Sequence, residues 1–141
     1  MDEERWGFHL FGANFASVEE AELYAFEQWE PEPPAAATDT EWNDWEDRNP
    51  TWRMAAELEF HIDSDFVELS GGLDSVVSQI SCPAERAEVV AKGSPFTHFI
   101  MIGANPNAIW HDRRSRSSQV EPVTRLPEST ATVTYLGKYN C

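Results

Sequence analysis

The sequence predicts an α+β fold: one domain built on a mainly antiparallel sheet of about four to five strands, with helices packed on one face. Three observations support this. The 141 residues are 41% hydrophobic and 12% aromatic, which is enough to bury one core. Segments that alternate apolar and polar residues are mixed with segments of helical spacing. No internal repeat interrupts the chain, so one domain is expected over residues 1–141.

The first two elements are a strand and a capped helix. Residues 6–11 alternate as a strand does, and a helix is expected after them because Ser17 and Glu20 form an S-x-x-E capping box. Pro31 is expected to end this helix. Ala21, Tyr24, Ala25 and Trp29 recur at helical spacing, so we expect Trp29 to lie in the core.

The middle of the chain contains short elements. Residues 31–37 read as an extended loop and residues 41–47 as one helical turn, within an acidic, Trp-rich insertion over residues 31–50. Asn49 and Pro50 are typical of a helix start, which predicts a short helix over residues 51–56. Leu58, Phe60 and Ile62 then alternate with polar residues as a half-buried strand, and Asp63-Ser64-Asp65 is turn chemistry.

The last part of the chain returns to the sheet. Two helices are expected over residues 76–80 and 84–91, divided at Pro83, followed by a central apolar strand over residues 96–102. Residues 103–107 read as a hairpin loop into a strand at residues 108–111. A basic, serine-rich loop (residues 113–118) and a closing strand (residues 130–139) complete the prediction.

Negative charge is concentrated in the first third of the chain. Residues 19–47 carry eleven acidic residues, three tryptophans and no Lys or Arg. Residues 1–47 hold fourteen Asp and Glu against one Arg (−13), and residues 48–141 hold eleven against nine Lys and Arg (−2), which together give the formal net charge of −15. Charge of a single sign steers a partner of opposite charge.

We expect this region to bind a basic protein partner, because tryptophan is enriched among residues that dominate binding energy. Any one of these acidic residues is an ordinary surface residue. A surface segment that carries negative charge without any Lys or Arg is unusual, because most protein surfaces mix the two signs. Whether Trp42 and Trp45 are exposed stays open at this point. The expected partner-binding residues are Glu27, Glu30, Glu32, Asp39, Glu41, Trp42, Asp44, Trp45, Glu46 and Asp47.

No catalytic, cofactor or metal site is expected. His61, Asp63 and Asp65 come closest to a metal cluster, but neighbouring positions of one strand and turn make a poor cage. Paired carboxylates such as Glu27 and Glu30 lack any mark of a raised pKa. The histidines share no constellation with a cysteine or serine, and the glycines lack phosphate-loop spacing.

The composition also predicts the compartment. The acidic N-terminus is unlike a signal peptide and no run of 18 apolar residues occurs, so we expect a cytoplasmic protein in which Cys82 and Cys141 remain thiols. The net charge argues against direct binding of nucleic acid or anionic membranes. Arg113, Arg114 and Arg116 are expected on a solvated loop, or in contact with the acidic face or a second copy of the chain. The oligomeric state stays open.

Two stretches resemble a known family. The first is Gly12-Ala-Asn-Phe15-Ala-Ser17-Val-Glu-Glu20, and the second is Asp63-Ser-Asp65-Phe66-Val-Glu68. In this order they resemble the immunity protein 22 family of bacterial polymorphic-toxin systems, with Ala13 as an extra residue in the first motif. The resemblance implies an α+β cytoplasmic protein that neutralises a cognate toxin by binding it, without catalysis.

Three classes of function are compatible with a chain of this composition. The expected one is an immunity protein that occludes a basic toxin, for which a nuclease with a positive substrate groove is a good fit. The alternative is an acidic DNA mimic that inhibits a DNA-binding protein. A small enzyme is the third class, and no residue constellation points to it.

Overall fold

The computed structural model describes residues 7–115 and 123–139 and shows an α+β fold. The predicted class and mainly antiparallel sheet are confirmed. The helices are α1 (Val18–Ala25), α2 (Asp39–Arg48), α3 (Arg53–Leu58), α4 (Leu73–Val77) and α5 (Pro83–Gly93), with a 3₁₀ turn at Ser64–Phe66. The strands are β1 (Phe8–Ala13), β2 (Phe60–Ile62), β3 (Val67–Ser70), β4 (His98–Gly103), β5 (Ile109–Asp112) and β6 (Thr134–Tyr139).

Four strands form the main sheet in the order β3-β4-β1-β6, and all its pairs are antiparallel. The apolar strand predicted as central is β4, an interior strand. It pairs with β1 over six residues, from Phe8 opposite Gly103 to Ala13 opposite His98. Strands β3 and β1 therefore pair with the two edges of β4, as is usual for an interior strand that is apolar on both faces.

Helices cover both faces of this sheet, whereas one covered face was expected. Phe11 and Ile100 face a core formed with α1, α3 and β2, while Leu10 and Met101 face a second core formed with α4 and α5. Because successive side chains of a strand point to opposite faces, the continuous apolar runs in β1 and β4 require a cover on each side.

Strand β5 leaves the main sheet and pairs with β2 as a separate two-stranded sheet. The predicted hairpin from the central strand through residues 103–107 is therefore wrong. Residues 104–108 carry the chain away from β4, and the carbonyl of Ala108 accepts a hydrogen bond from the amide of Asp63 at 2.8 Å. A turn signal in the sequence marks the reversal but does not identify the strand that will pair.

Helix α1 begins as predicted but ends early. The Ser17 side chain accepts a hydrogen bond from the amide of Glu20 at 3.2 Å, as the capping box requires. The helix stops at Ala25 because Gln28 pairs with Thr51 through two backbone hydrogen bonds of 2.8 and 2.9 Å. Trp29 follows this bridge and is 58% exposed, so its prediction as a core residue is wrong.

The third helix is displaced by two residues from its predicted range of 51–56. Asn49 does not cap it, since its side chain instead accepts from the amide of Glu30 at 2.8 Å and donates to the carbonyl of Trp45 at 2.8 Å. Thr51 is held by the bridge to Gln28. Leu58 consequently belongs to α3, and β2 has only three residues.

The Gly12-to-Phe15 stretch acts as a packing motif. Gly12 lies within β1, where a Cβ atom would approach the Phe96 ring to 2.5 Å. The side chain of Asn14 accepts from the amide of Thr97 at 3.0 Å, and the amide of Phe15 donates to the Thr97 hydroxyl at 3.2 Å. These residues join the end of β1 to the start of β4.

The structure bears on two expectations about the whole chain, and it changes the one that concerns the cysteines. Cys82 is disulfide-bonded, so it is not the free thiol that was expected; Cys141, the other cysteine of the sequence, lies outside the described residues, as do Trp6 and Arg116. Within the described ranges, every helix is too short or too polar to cross a membrane.

Candidate partner-binding surface

Helix α2 is the element least involved in the core. None of its ten residues is buried, and neither core cluster includes it. The Thr38 side chain caps it by accepting from the amide of Glu41 at 3.2 Å, which explains why so polar a segment forms a helix. Helix α2 confirms the helical turn predicted over residues 41–47, and it is longer than that turn.

Three indoles form a cluster along this helix. The ring centroids of Trp29 and Trp45 are 5.8 Å apart, and those of Trp42 and Trp45 are 6.0 Å apart. Trp42 and Trp45 are half-buried against each other, and neither contributes to a core cluster. Trp29 is the most exposed of the three and was not among the expected contact residues.

Hydrogen bonds to Glu30 attach α2 to the chain that follows α1. Trp45 Nε1 donates to the Glu30 carbonyl at 3.1 Å, and Arg48 Nε donates to the Glu30 carboxylate at 3.0 Å. The hydrogen bond from Arg48 holds the pKa of the Glu30 carboxyl below its ordinary value. These hydrogen bonds hold α2 against the segment that contains Glu30, although no residue of α2 is buried.

We call Trp29, Glu30 and helix α2 the acidic tryptophan surface. It carries six carboxylates against the guanidinium of Arg48, a formal net charge of −5. Glu41, Asp44, Trp45 and Arg48 of this surface line a shallow groove of about 300 Å³ together with Pro31, Pro33 and Pro34, and the Arg48 guanidinium in it is paired with Glu30 at 3.0 Å. An indole between carboxylates, over a stiff proline segment, suits the side chain of a Lys or Arg from a partner.

The structure brings most of the expected contact residues into this region. Glu30, Glu41, Trp42, Asp44 and Trp45 are joined by contacts or by the shared groove. The other expected contact residues are exposed, except for half-buried Glu27, and they are Glu27, Glu32, Asp39, Glu46 and Asp47. Sequence reasoning missed Trp29 because it extended α1 to Pro31.

The residues considered for metal binding do not meet. His61 stacks on Trp110 with ring centroids 5.0 Å apart and lies opposite His111 at 5.3 Å. Asp63 instead caps the 3₁₀ turn by accepting from the amide of Asp65 at 3.0 Å. Burial, with Arg113 and His111 nearby, lowers the pKa of His61. Among the described residues, no three His, Cys, Asp or Glu side chains converge.

The basic loop contacts acids outside the acidic tryptophan surface. Arg114 forms ion pairs with Glu59 and Glu128, the latter at 3.2 Å. The basic loop therefore makes intramolecular contacts, which was one of the expectations for it. Its partners are Glu59 and Glu128, not the acidic residues of the first third of the chain.

Comparison with protein-family models, with curated proteins and with solved structures gave no match. The resemblance described above therefore stays an expectation.

Proposed function

We propose that this chain is a toxin-neutralising immunity protein, which binds a cognate toxin through the acidic tryptophan surface and occludes the toxin's active site without catalysis. The proposed partner presents a basic surface, as a nuclease does around its substrate groove. The observation that carries the proposal is a capped helix of ten residues, none of them buried, which together with Trp29 and Glu30 presents an indole cluster and a formal net charge of −5.

The physical argument combines charge and contact area. Six carboxylates on one exposed region accelerate encounter with a basic partner. Once the partner is bound, the indoles can exclude water and supply contact energy, as aromatic anchors do at interfaces. The core does not need this surface, because both core clusters close without α2.

The proposed compartment is the cytoplasm, where structural disulfides are rare. The disulfide at Cys82 is in tension with that proposal. Mass spectrometry of protein alkylated at the moment of lysis decides the point: a fully alkylated Cys82 agrees with a reducing cytoplasm. A disulfide already present in freshly lysed cells indicates an oxidising compartment.

The direct test is co-expression with the product of the gene immediately upstream of this chain's gene, where the proposal places the cognate toxin. The wild-type chain is expected to restore growth and to form a stoichiometric complex. A Glu41→Gln, Asp44→Asn double variant is expected to weaken protection, because both carboxylates line the groove beside Trp45. The matched control is Glu19→Gln, Glu22→Gln, which removes two exposed carboxylates from α1.

Three results would contradict this proposal. One is failure of the wild-type chain to protect, and a second is equal protection by both double variants. The third is inhibition of several unrelated DNA-binding proteins by the purified chain, because broad inhibition belongs to a DNA mimic and not to the inhibitor of one toxin.

A further inference from the structure

A cavity of about 800 Å³ opens at the end of the main sheet where β1 begins and β4 and β6 end. Its described walls come from the start of β1, the 103–107 loop, Trp110 of β5, the segment 123–126 and Lys138 of β6. This volume lies in the range of small-molecule sites. None of the expected contact residues lines it.

The charge of the described walls of this cavity is opposite to that of the protein. The chain has 25 acidic and 10 basic residues, yet the charged residues among the described walls are Arg125 and Lys138, without a carboxylate. Among the described residues, the Lys138 ammonium has no hydrogen-bond or ion-pair partner within reach. Arg125 is paired with Asp112, so Lys138 carries the uncompensated charge of the described wall, and this unpaired cation in so acidic a protein favours an anionic ligand.

Arg125 is held rigidly and retains one unused donor. Its Nε and Nη2 bind the Asp112 carboxylate at 3.0 and 2.9 Å, and its guanidinium lies 4.0 Å from the centre of the Phe60 ring. Its Nη1 is the buried side-chain nitrogen that lacks a hydrogen-bond partner in the described chain. Arg125 lines the cavity, and a buried donor without a partner is costly, so an acceptor of a ligand that reaches Nη1 would be stabilised there.

The other described residues of the wall are apolar or neutral. Trp110 and Leu126 are 52% and 60% exposed although both are large hydrophobic residues. His9 adds no charge near pH 7, because burial, with Lys138 nearby, lowers its pKa to about 4. We propose that this cavity binds a small organic anion, whose carboxylate or phosphate group contacts Lys138 and Arg125 and whose apolar body packs on Trp110 and Leu126.

The test is a two-dimensional NMR titration of the full chain with phenyl phosphate, benzoate, inorganic phosphate and benzylamine. At least one of phenyl phosphate and benzoate is expected to shift the signals of residues 103–107, Trp110 and 123–126 saturably, and the stronger of the two identifies the preferred head group. Inorganic phosphate lacks the apolar body and benzylamine has the wrong charge, so both are expected to bind at least about tenfold more weakly.

Lys138→Gln is expected to weaken binding of the preferred anion about tenfold, because the exposed ammonium contributes charge without supporting the core. Lys92→Gln is the matched control, since Lys92 is the other lysine of the chain, lies on α5 and is not among the described walls of the cavity. The Lys92→Gln variant is expected to bind the preferred anion as tightly as the wild type does. The toxin assays play no part in this test, so either proposal can fail alone.

Any of four outcomes would overturn the inference: no saturable shift with either organic anion, equal binding of benzylamine or inorganic phosphate, unchanged affinity in Lys138→Gln, or shifts confined to another surface. Contacts from residues 116–122 to Trp110 in the ligand-free protein would also overturn it, because the chain would then fill its own cavity.

Discussion

Trp29 and Trp52 have opposite surroundings although both are tryptophans near the ends of short helices. Trp29 is 58% exposed and touches Trp45. Trp52 packs on the core, and its Nε1 donates to the Ala25 carbonyl at 2.9 Å. An exposed indole contributes little to folding but can contribute strongly to binding, whereas a packed indole does the reverse.

We therefore expect Trp29→Ala to change the free energy of unfolding by less than about 1 kcal/mol while weakening toxin binding by on the order of 2 kcal/mol. The control Trp52→Ala is expected to cost about 3 kcal/mol of stability. Denaturant unfolding and titration calorimetry measure the two quantities. Unchanged toxin affinity in Trp29→Ala would remove this indole from the contact surface.

Glu57 is an acidic residue that stabilises the fold through hydrogen bonds. It accepts hydrogen bonds from the hydroxyls of Thr130 at 2.7 Å, Thr132 at 3.0 Å and Tyr24 at 3.0 Å. Burial alone would raise the pKa of the Glu57 carboxyl, but these hydrogen bonds, with Arg53, outweigh burial and hold the pKa below its ordinary value. One carboxylate thus links α1, α3 and the segment before β6.

Glu57→Gln is expected to lower the free energy of unfolding by about 1–3 kcal/mol at pH 7. A depressed folded-state pKa contributes stability that is present above the ordinary value of 4.5 and is lost as pH falls through the lower folded value. The wild type should therefore lose more stability than the variant below about pH 4.5. Denaturant unfolding between about pH 3 and pH 7, with exposed Glu22→Gln as control, checks this; parallel curves for wild type and Glu57→Gln would contradict it.

Helix α2 depends on a few polar contacts and not on apolar burial. Asn49 joins the end of the helix to Glu30, and Trp45 donates to the same residue's carbonyl. Elements with few buried contacts open locally without global unfolding. The stability of this helix can therefore be changed separately from that of the core.

Asn49→Ala is expected to accelerate amide hydrogen exchange in residues 39–48 while leaving the exchange of β1 and β4 almost unchanged. Asn43→Ala is the matched control, because Asn43 is exposed on the same helix and its side chain has no described hydrogen bond. Exchange measured by mass spectrometry after proteolysis resolves the segments. Equal acceleration throughout the sheet would show that α2 and the core unfold together.

Charge acts over the whole molecule. With a formal net charge of −15, association with a basic toxin is expected to slow steeply as salt rises, because exposed charges are screened beyond roughly 8–10 Å at moderate ionic strength. Stopped-flow association from about 50 mM to about 500 mM salt measures this dependence. A rate that does not change with salt would show that the acidic tryptophan surface does not steer the encounter.

Local patterns in the sequence were sufficient where a few neighbouring residues decide the outcome. The capping box at Ser17, helix α5 and the apolar strand β4 were predictable, whereas α4 begins and ends three residues before its predicted range of 76–80. Each depends on hydrogen bonds or burial that the segment's own residues specify. The acidic region was visible for the same reason, since charge is additive along the chain.

Only the tertiary structure decided which distant segments pair. The bridge between Gln28 and Thr51 ends α1 and exposes Trp29, and the pairing of β5 with β2 replaces the expected hairpin. The cavity beside Lys138 likewise combines residues from β1, β5 and β6. The sequence by itself therefore determined the fold class, the local elements and the concentration of charge. Long-range pairing decided which side chains meet, because its free energy depends on residues far apart in the chain.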